Sequence, residues 1–274
     1  MSVAFKTQAK IAVERRAAPR PANDDNYAEA VVGGIKTACL TRAQLANLMV
    51  NDCFSARRTR RSPKLVFASN GHTIALVAMD AKFRKTFQAA DIVHADGQPV
   101  VIASRLFANA AVPERSATTD FIHDAAKTAA AQGLKVFLLG ASETVNAQCA
   151  EILRFTYPDL RIAGRRNGYF RRDEEAAICE EINRSGADIV FVGLGAPLEY
   201  DFCVRNKHRL RAGWVVTCGG CYNFVTGDYK RAPDWMQTYS LEWLYRVMRE
   251  PKRLFWRYAV TNPLALFFML TRTA

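Results

Sequence analysis

The chain has 274 residues, of which 50% are hydrophobic and 23% are charged. This composition excludes a wholly disordered protein and suffices for one large domain with an appendage. The net charge of +12 suits an anionic partner such as phosphate, nucleic acid or an acidic membrane surface. The longest apolar stretch near the end, residues 263–270, is far shorter than the roughly 20 residues that cross a bilayer.

The predicted elements begin after a polar segment. Residues 1–30 lack the apolar run of a secretory signal and are predicted to be a flexible extension. Residues 31–55 predict a short strand and a helix, in which Thr41 and Gln44 have the spacing of a capping box. Residues 55–63 predict a basic loop.

Residues 31–227 form the predicted core, in which short apolar segments alternate with amphipathic ones. The alternation predicts an α/β fold with a Rossmann-like, largely parallel sheet and helices on both faces. The predicted strands are residues 65–68, 92–94, 136–139, 162–163, 189–192 and 214–217.

Glycine-rich turns follow several of these strands, at the sheet edge where such folds bind ligands. Glycine lets the backbone approach a phosphate, and the helix that follows offers free N–H groups. The chain has neither a complete G-x-G-x-x-G sequence nor a P-loop. Ordinary tight turns therefore stay an alternative to a nucleotide site.

The seven cysteines have irregular spacing, which is typical of a reducing compartment. Cys218 and Cys221 form C-G-G-C, but no second pair or nearby histidine completes a zinc site. No bound metal is predicted, and a redox pair stays an alternative.

Residues 228–274 form the predicted C-terminal appendage, which is basic and rich in aromatic residues. A helix is predicted over residues 241–249, and Pro251 is predicted to begin another that ends at Asn262 and Pro263. The appendage is interpreted as a surface that lies on a membrane interface. A helix pair packed on the core is the alternative.

Taken together in this order, seven motifs resemble the bacterial WecG/TagA/CpsF glycosyltransferases. The motifs are Ala95-Asp96-Gly97-Gln98-Pro99-Val100, Phe137-Leu138-Leu139-Gly140, Gly168-Tyr169-Phe170, Val192-Gly193-Leu194-Gly195-Ala196-Pro197, Lys230-Arg231-Ala232-Pro233, Leu241-Glu242-Trp243-Leu244-Tyr245-Arg246 and Glu250-Pro251-Lys252-Arg253.

The resemblance implies an inverting, metal-independent enzyme without a cofactor. It moves a sugar from UDP to a polyprenyl-diphosphate-linked saccharide during bacterial surface polysaccharide synthesis. The implied place is the cytoplasmic face of the inner membrane, where the protein is peripheral and meets an anionic surface. The absence of an Asp-x-Asp sequence agrees with metal independence.

The resemblance also implies site residues. Asp96 is the candidate catalytic base, although a turn or helix-capping aspartate is the alternative. The candidate donor-binding residues are Asn70, Gly140, Gly193, Gly195, Glu199, Gly220 and Asn223. The candidate ligands of phosphate or the lipid acceptor are Arg231, Arg246, Arg253 and Arg257.

The sequence departs from the family at three places near the expected donor pocket. Pro197-Leu198-Glu199-Tyr200 stands where the family commonly has Pro-Lys-Gln-Glu, Ala68 replaces a frequent threonine, and Gly219-Gly220-Cys221-Tyr222-Asn223 replaces Gly-x-x-Phe-Asp. Losing a lysine and gaining a carboxylate disfavours an acidic donor sugar, so a neutral one is expected.

Two other functions are weighed. A non-catalytic scaffold of the same fold is allowed by the altered segment, whereas Asp96 and the arginines favour an enzyme. Nucleic-acid binding is suggested only by the basic residues of segment 57–64, which has no interleaved aromatic residue, so no nucleic-acid partner is expected. The apolar tail also allows a homo-oligomer.

Overall fold

A computed structural model describes residues 27–59 and 61–274, so most of the predicted N-terminal extension lies outside the described part. The strands are β1 (Glu29–Val32), β2 (Ile35–Ala38), β3 (Lys64–Ser69), β4 (Ile92–Ala95), β5 (Lys135–Gly140), β6 (Arg161–Arg166), β7 (Ile189–Gly193) and β8 (Trp214–Thr217). The helices are α1 (Arg42–Thr59), α2 (Gly71–Met79), α3 (Ala81–Phe87), α4 (Gln98–Phe107), α5 (Thr118–Gln132), α6 (Glu143–Thr156), α7 (Glu175–Ser185), α8 (Leu198–Asn206), α9 (Cys221–Val225), α10 (Asp234–Thr238), α11 (Glu242–Arg249) and α12 (Pro251–Thr271).

A parallel sheet of six strands forms the centre of the fold, in the order β4-β3-β8-β7-β5-β6. In its register Val66 lies opposite Val216, and Val192 lies opposite Thr217. Strands β7 and β8 are buried throughout, because helices cover both faces of the sheet. The sheet confirms the predicted α/β, Rossmann-like fold.

The N-terminal strands form an antiparallel hairpin, where the sequence predicted a single strand. Strand β1 begins at Glu29, inside the range predicted as an extension, and Ala30 and Val32 are fully buried. Gly33 and Gly34 make the turn with φ of +60° and +82°, which glycine adopts without strain.

Helix α1 continues to Thr59, so the predicted loop over residues 55–63 was wrong for its first half. Arg57 in the last turn donates to both carboxylate oxygens of Asp188, each at 2.6 Å. This bidentate contact ties the end of α1 to the start of β7.

Helix α12 runs through Pro263 to Thr271, so the predicted helix end at Asn262 and Pro263 was also wrong. A proline inside a helix costs about 3 kcal/mol. Beyond it, Ala265 and Met269 are buried in the core cluster that also contains Ile74 of α2. This apolar burial offsets the cost and keeps the helix continuous.

The C-terminal residues are fixed to the N-terminal hairpin. Val31 N–H donates to the oxygen of Ala274 at 3.2 Å, and Ala274 N–H donates to that of Val31 at 3.0 Å. Gly34 N–H donates to Arg272 O at 2.8 Å. Residues 228–274 therefore contact the core at both α2 and β1.

Candidate active site

A cleft of about 550 Å³ lies at the carboxyl ends of β3, β4, β7 and β8. Nine of the predicted site residues line it: Asn70, Asp96, Gly193, Gly195, Glu199, Gly220, Asn223, Arg246 and Arg257. The cleft thus brings residues from distant parts of the chain together, while their individual roles stay predictions.

Two of the other predicted residues, Gly140 and Arg231, do not line the cleft. Gly140 packs directly against Gly193, which lines the cleft. A Cβ atom added at Gly140 would collide with the carbonyl group of Gly193. Arg231 contacts Asp120 and donates to Gln237 Oε1 at 2.8 Å. The side chain of Arg253 lies outside the described part of the chain.

Asp96 follows β4 directly, and its carboxylate is held by neighbours from two other elements. Oδ1 accepts from Thr118 N–H at 2.8 Å and from Thr118 Oγ1 at 3.2 Å. Oδ2 accepts from Asn70 Nδ2 at 3.0 Å. A carboxylate has about four acceptor sites. Oδ2 therefore keeps capacity to accept a further proton donor.

The environment of Asp96 keeps it ionised. Burial alone would raise its pKa, but Arg115, Thr118 N–H and Asn70 together hold the pKa below the usual value. Arg115 donates through Nε to Asp96 O at 2.7 Å and through Nη2 to Glu242 Oε2 at 2.8 Å. Arg115 therefore links the Asp96 loop to α11 of the appendage.

The Glu199 side chain hydrogen-bonds to the backbone of two of the glycine turns. Its Oε2 accepts from Gly195 N–H at 3.0 Å and from Gly219 N–H at 2.9 Å. The residue is 3% exposed, and burial raises its pKa to about 7 despite these hydrogen bonds. The carboxylate at this departure from the family therefore holds the backbone of the cleft in place.

Replacing Glu199 by Gln is expected to change how stability depends on pH. The folded protein retains a proton on Glu199 up to about pH 7, whereas the unfolded chain loses it near its ordinary pKa. The free energy of unfolding of the wild type therefore falls as pH rises through this window. Glu199→Gln keeps the acceptor oxygen and removes the titration, and should be more stable at about pH 8 by about 3 kcal/mol.

Urea unfolding at acidic and at mildly alkaline pH would measure this difference. Glu151→Gln, on the exposed face of α6, is the matched control. An identical pH dependence in wild type and Glu199→Gln would contradict the assignment.

Two arginines of the appendage bring positive charge to the cleft. Arg246 comes from α11 and Arg257 from α12, and both line the cleft. The guanidinium of Arg246 lies 5.7 Å from the ring centroid of Phe224. An arginine pair of this kind suits a phosphate or diphosphate group.

His72 lines the same cleft and was missed in the sequence analysis. Burial, followed by the charge of Arg257, lowers the pKa of His72 to about 3, so the imidazole is neutral. Its only sequence signal is its place two residues after Asn70, which caps α2 by accepting from Thr73 N–H.

The two cysteines of the C-G-G-C sequence line the cleft. Cys218 and Cys221 are buried and carry free thiols, and burial raises the pKa of both. Cys221 Sγ contacts Thr118 O at 3.5 Å. Within the described ranges, no cluster of three or more His, Cys, Asp or Glu residues is arranged to hold a metal ion.

The positive charges of segment 57–64 are partly neutralised by acidic residues in the fold. Besides the pair of Arg57 with Asp188, Lys64 lies 2.9 Å from a carboxylate oxygen of Asp52. These contacts give two of its charges a structural role.

No helix in the described part of the chain is long and apolar enough to span a membrane. The sequence model of the Glycosyl transferase WecG/TagA/CpsF family matches residues 30–274, which include the sheet, the cleft and the appendage. The chain belongs to the WecG/TagA/CpsF family of glycosyltransferases.

Proposed function

We propose that the protein transfers a neutral sugar from a UDP-sugar to a polyprenyl-diphosphate-linked saccharide, with inversion at the anomeric carbon and without a metal ion. Such a transfer serves bacterial surface polysaccharide synthesis. The observation that supports it best is one cleft that is lined both by the ionised Asp96 and by two arginines, Arg246 and Arg257.

In the proposed step the acceptor hydroxyl oxygen forms a bond to C1 of the donor sugar, while the bond from C1 to the phosphate oxygen breaks. The hydroxyl proton passes to Asp96, and the electron pair of the broken bond leaves with UDP. Because Asp96 has a low pKa, the proton moves as the new bond makes the hydroxyl acidic. Arg246 and Arg257 stabilise the charge that grows on the diphosphate.

The donor sugar is proposed to be neutral. The sequence lacks the lysine common in the family after Pro197 and has Leu198 there, while the neighbouring Glu199 is a carboxylate. Losing the lysine removes a positive charge near the glycine turns, so a uronic acid would lose a counter-charge.

A panel of neutral and acidic UDP-sugars, incubated with membrane extract that carries lipid-linked acceptors, tests the proposal. UDP release from one neutral donor is the expected result. Strong preference for an acidic sugar would overturn the donor assignment. No release with any donor across several acceptor preparations would favour the alternative, a non-catalytic scaffold.

The exposed face of α12 is proposed to lie on the anionic cytoplasmic surface of the inner membrane. Four of its exposed apolar residues, Trp256, Val260, Phe267 and Leu270, are spaced by four, seven and three positions and so lie along one side of the helix. Lys252, four residues before Trp256, lies on the same side of the helix and is also exposed. Apolar side chains beside a basic one are typical of interfacial helices.

Introducing Glu at both Trp256 and Phe267 is expected to weaken binding to vesicles that contain anionic lipid. These side chains are 74% and 57% exposed, so the change removes apolar area and adds repulsive charge with little effect on packing. We expect a loss of about tenfold or more in vesicle co-sedimentation. Phe155→Glu, at an 89% exposed position on α6, is the control. Equal binding of the variant and wild type would exclude this face.

A further inference from the structure

A second, smaller compartment of about 190 Å³ adjoins the cleft, beneath the appendage. It lies between the start of α4 and helices α10 to α12, and its own wall includes Trp243, Ser240 and Tyr258. Asp96, His72 and Thr119 line both the compartment and the cleft. The candidate base therefore stands where the two spaces meet.

Three buried polar atoms of residues that line this compartment have no hydrogen-bond partner among the described residues. They are His72 Nδ1, Thr119 Oγ1 and Ser240 Oγ. Buried polar atoms in folded proteins are nearly always paired, and a cluster of unpaired ones marks a place where a ligand can supply the missing bonds. Two hydroxyls and a neutral imidazole can each donate or accept, which suits the hydroxyl groups of a sugar.

The remaining wall offers aromatic surface, and Arg246 and Arg257, which also line the cleft, bring positive charge to its edge. The rings of Trp243 and Tyr258 have centroids 6.1 Å apart and are tilted by 51°. Glu242 is paired with Arg115 at 2.8 Å. Aromatic faces with uncharged hydrogen-bonding groups suit a ring that is polar at its edge and apolar on its faces.

We propose that this compartment is the acceptor subsite and binds one pyranose ring of the acceptor, so that the attacking hydroxyl reaches Asp96 while the donor occupies the larger cleft. This inference rests on the proposed glycosyl transfer. Thr119 and Ser240 bind acceptor hydroxyls, and Trp243 contacts a face of the ring.

Trp243→Ala and Thr119→Val test the subsite. The first removes the aromatic surface, and the second removes the hydroxyl while keeping the side-chain shape. With geranyl-diphosphate-linked N-acetylglucosamine as a soluble acceptor probe, each variant should raise the acceptor KM by about tenfold. The donor KM of Trp243→Ala should stay within about twofold of wild type, because Trp243 does not line the larger cleft. Trp235→Ala, at a 58% exposed position on α10, is the matched control and should leave both constants unchanged.

The outcomes separate the subsite from the reaction itself. If wild type neither binds UDP-sugars by calorimetry nor turns them over, the proposed function fails. If wild type is active but Trp243→Ala raises the donor KM instead, or changes neither KM, the subsite assignment fails. Circular dichroism of each variant checks that the fold is retained.

Discussion

Asp96→Asn is expected to lower kcat by about 100-fold or more, because the amide cannot take the proton of the attacking hydroxyl. Asparagine has nearly the same shape, and its oxygen can still accept from Thr118 N–H, so the loop should keep its position. The measurement is UDP release at saturating donor and acceptor. A fall in kcat with little change in the donor KM is the expected pattern.

The matched control for this change is Asp159→Asn, at an exposed position between α6 and β6. It makes the same chemical substitution far from the cleft and should retain full activity. A rate for Asp96→Asn within a few-fold of wild type would assign Asp96 the alternative role of a turn residue. Thermal unfolding of both variants separates loss of chemistry from loss of structure.

The second large effect is expected for the appendage arginines. Arg246→Ala and Arg257→Ala should each lower kcat/KM by about 100-fold, since each removes positive charge from a diphosphate that gains negative charge during transfer. Arg257→Lys should recover only part of the loss, because an ammonium cannot form the bidentate contact of a guanidinium.

Arg249→Ala is the control for these variants. Arg249 lies on the same helix as Arg246 and has the same charge, but it is exposed and does not line the cleft. Assays with the soluble acceptor keep membrane attraction out of the comparison. Equal losses for Arg249 and Arg246 would mean that the appendage acts through its net charge and not through contacts at the cleft.

The sheet could be predicted from the sequence because its strands are short apolar runs with glycine turns at their ends. The capping box at Thr41 was equally local, and Gln44 N–H donates to Thr41 Oγ1 at 3.2 Å. The two helix ends that were predicted wrongly depend on distant contacts. Arg57 reaches Asp188 in another element, and the continuation past Pro263 depends on burial against α2.

The site was predictable where a residue directly follows a strand. Asp96 and Asn70 leave neighbouring parallel strands, β4 and β3, so their side chains meet at 3.0 Å. His72 and Ser240 could not be found in this way, because they lie on a helix and in a turn with no motif of their own. His72 lines the cleft from the first turn of α2, and Ser240 lines the smaller compartment from the turn before α11.

Glu199 illustrates a different limit. The sequence identified Glu199 as a departure from the family pattern. It did not indicate the direction in which the side chain points. The structure buries the carboxylate beneath Gly195 and Gly219. Its first effect is therefore on the position of the glycine turns, and any influence on donor choice acts through that backbone.

Product analysis after reaction of wild type with its preferred neutral UDP-sugar and geranyl-diphosphate-linked N-acetylglucosamine tests the account most directly. Nuclear magnetic resonance of the purified product reads the configuration at the new anomeric centre. The account predicts a disaccharide whose anomeric configuration is opposite to that of the donor, formed in step with UDP and lost in Asp96→Asn. A product with retained configuration, or one formed equally well by Asp96→Asn, would contradict it.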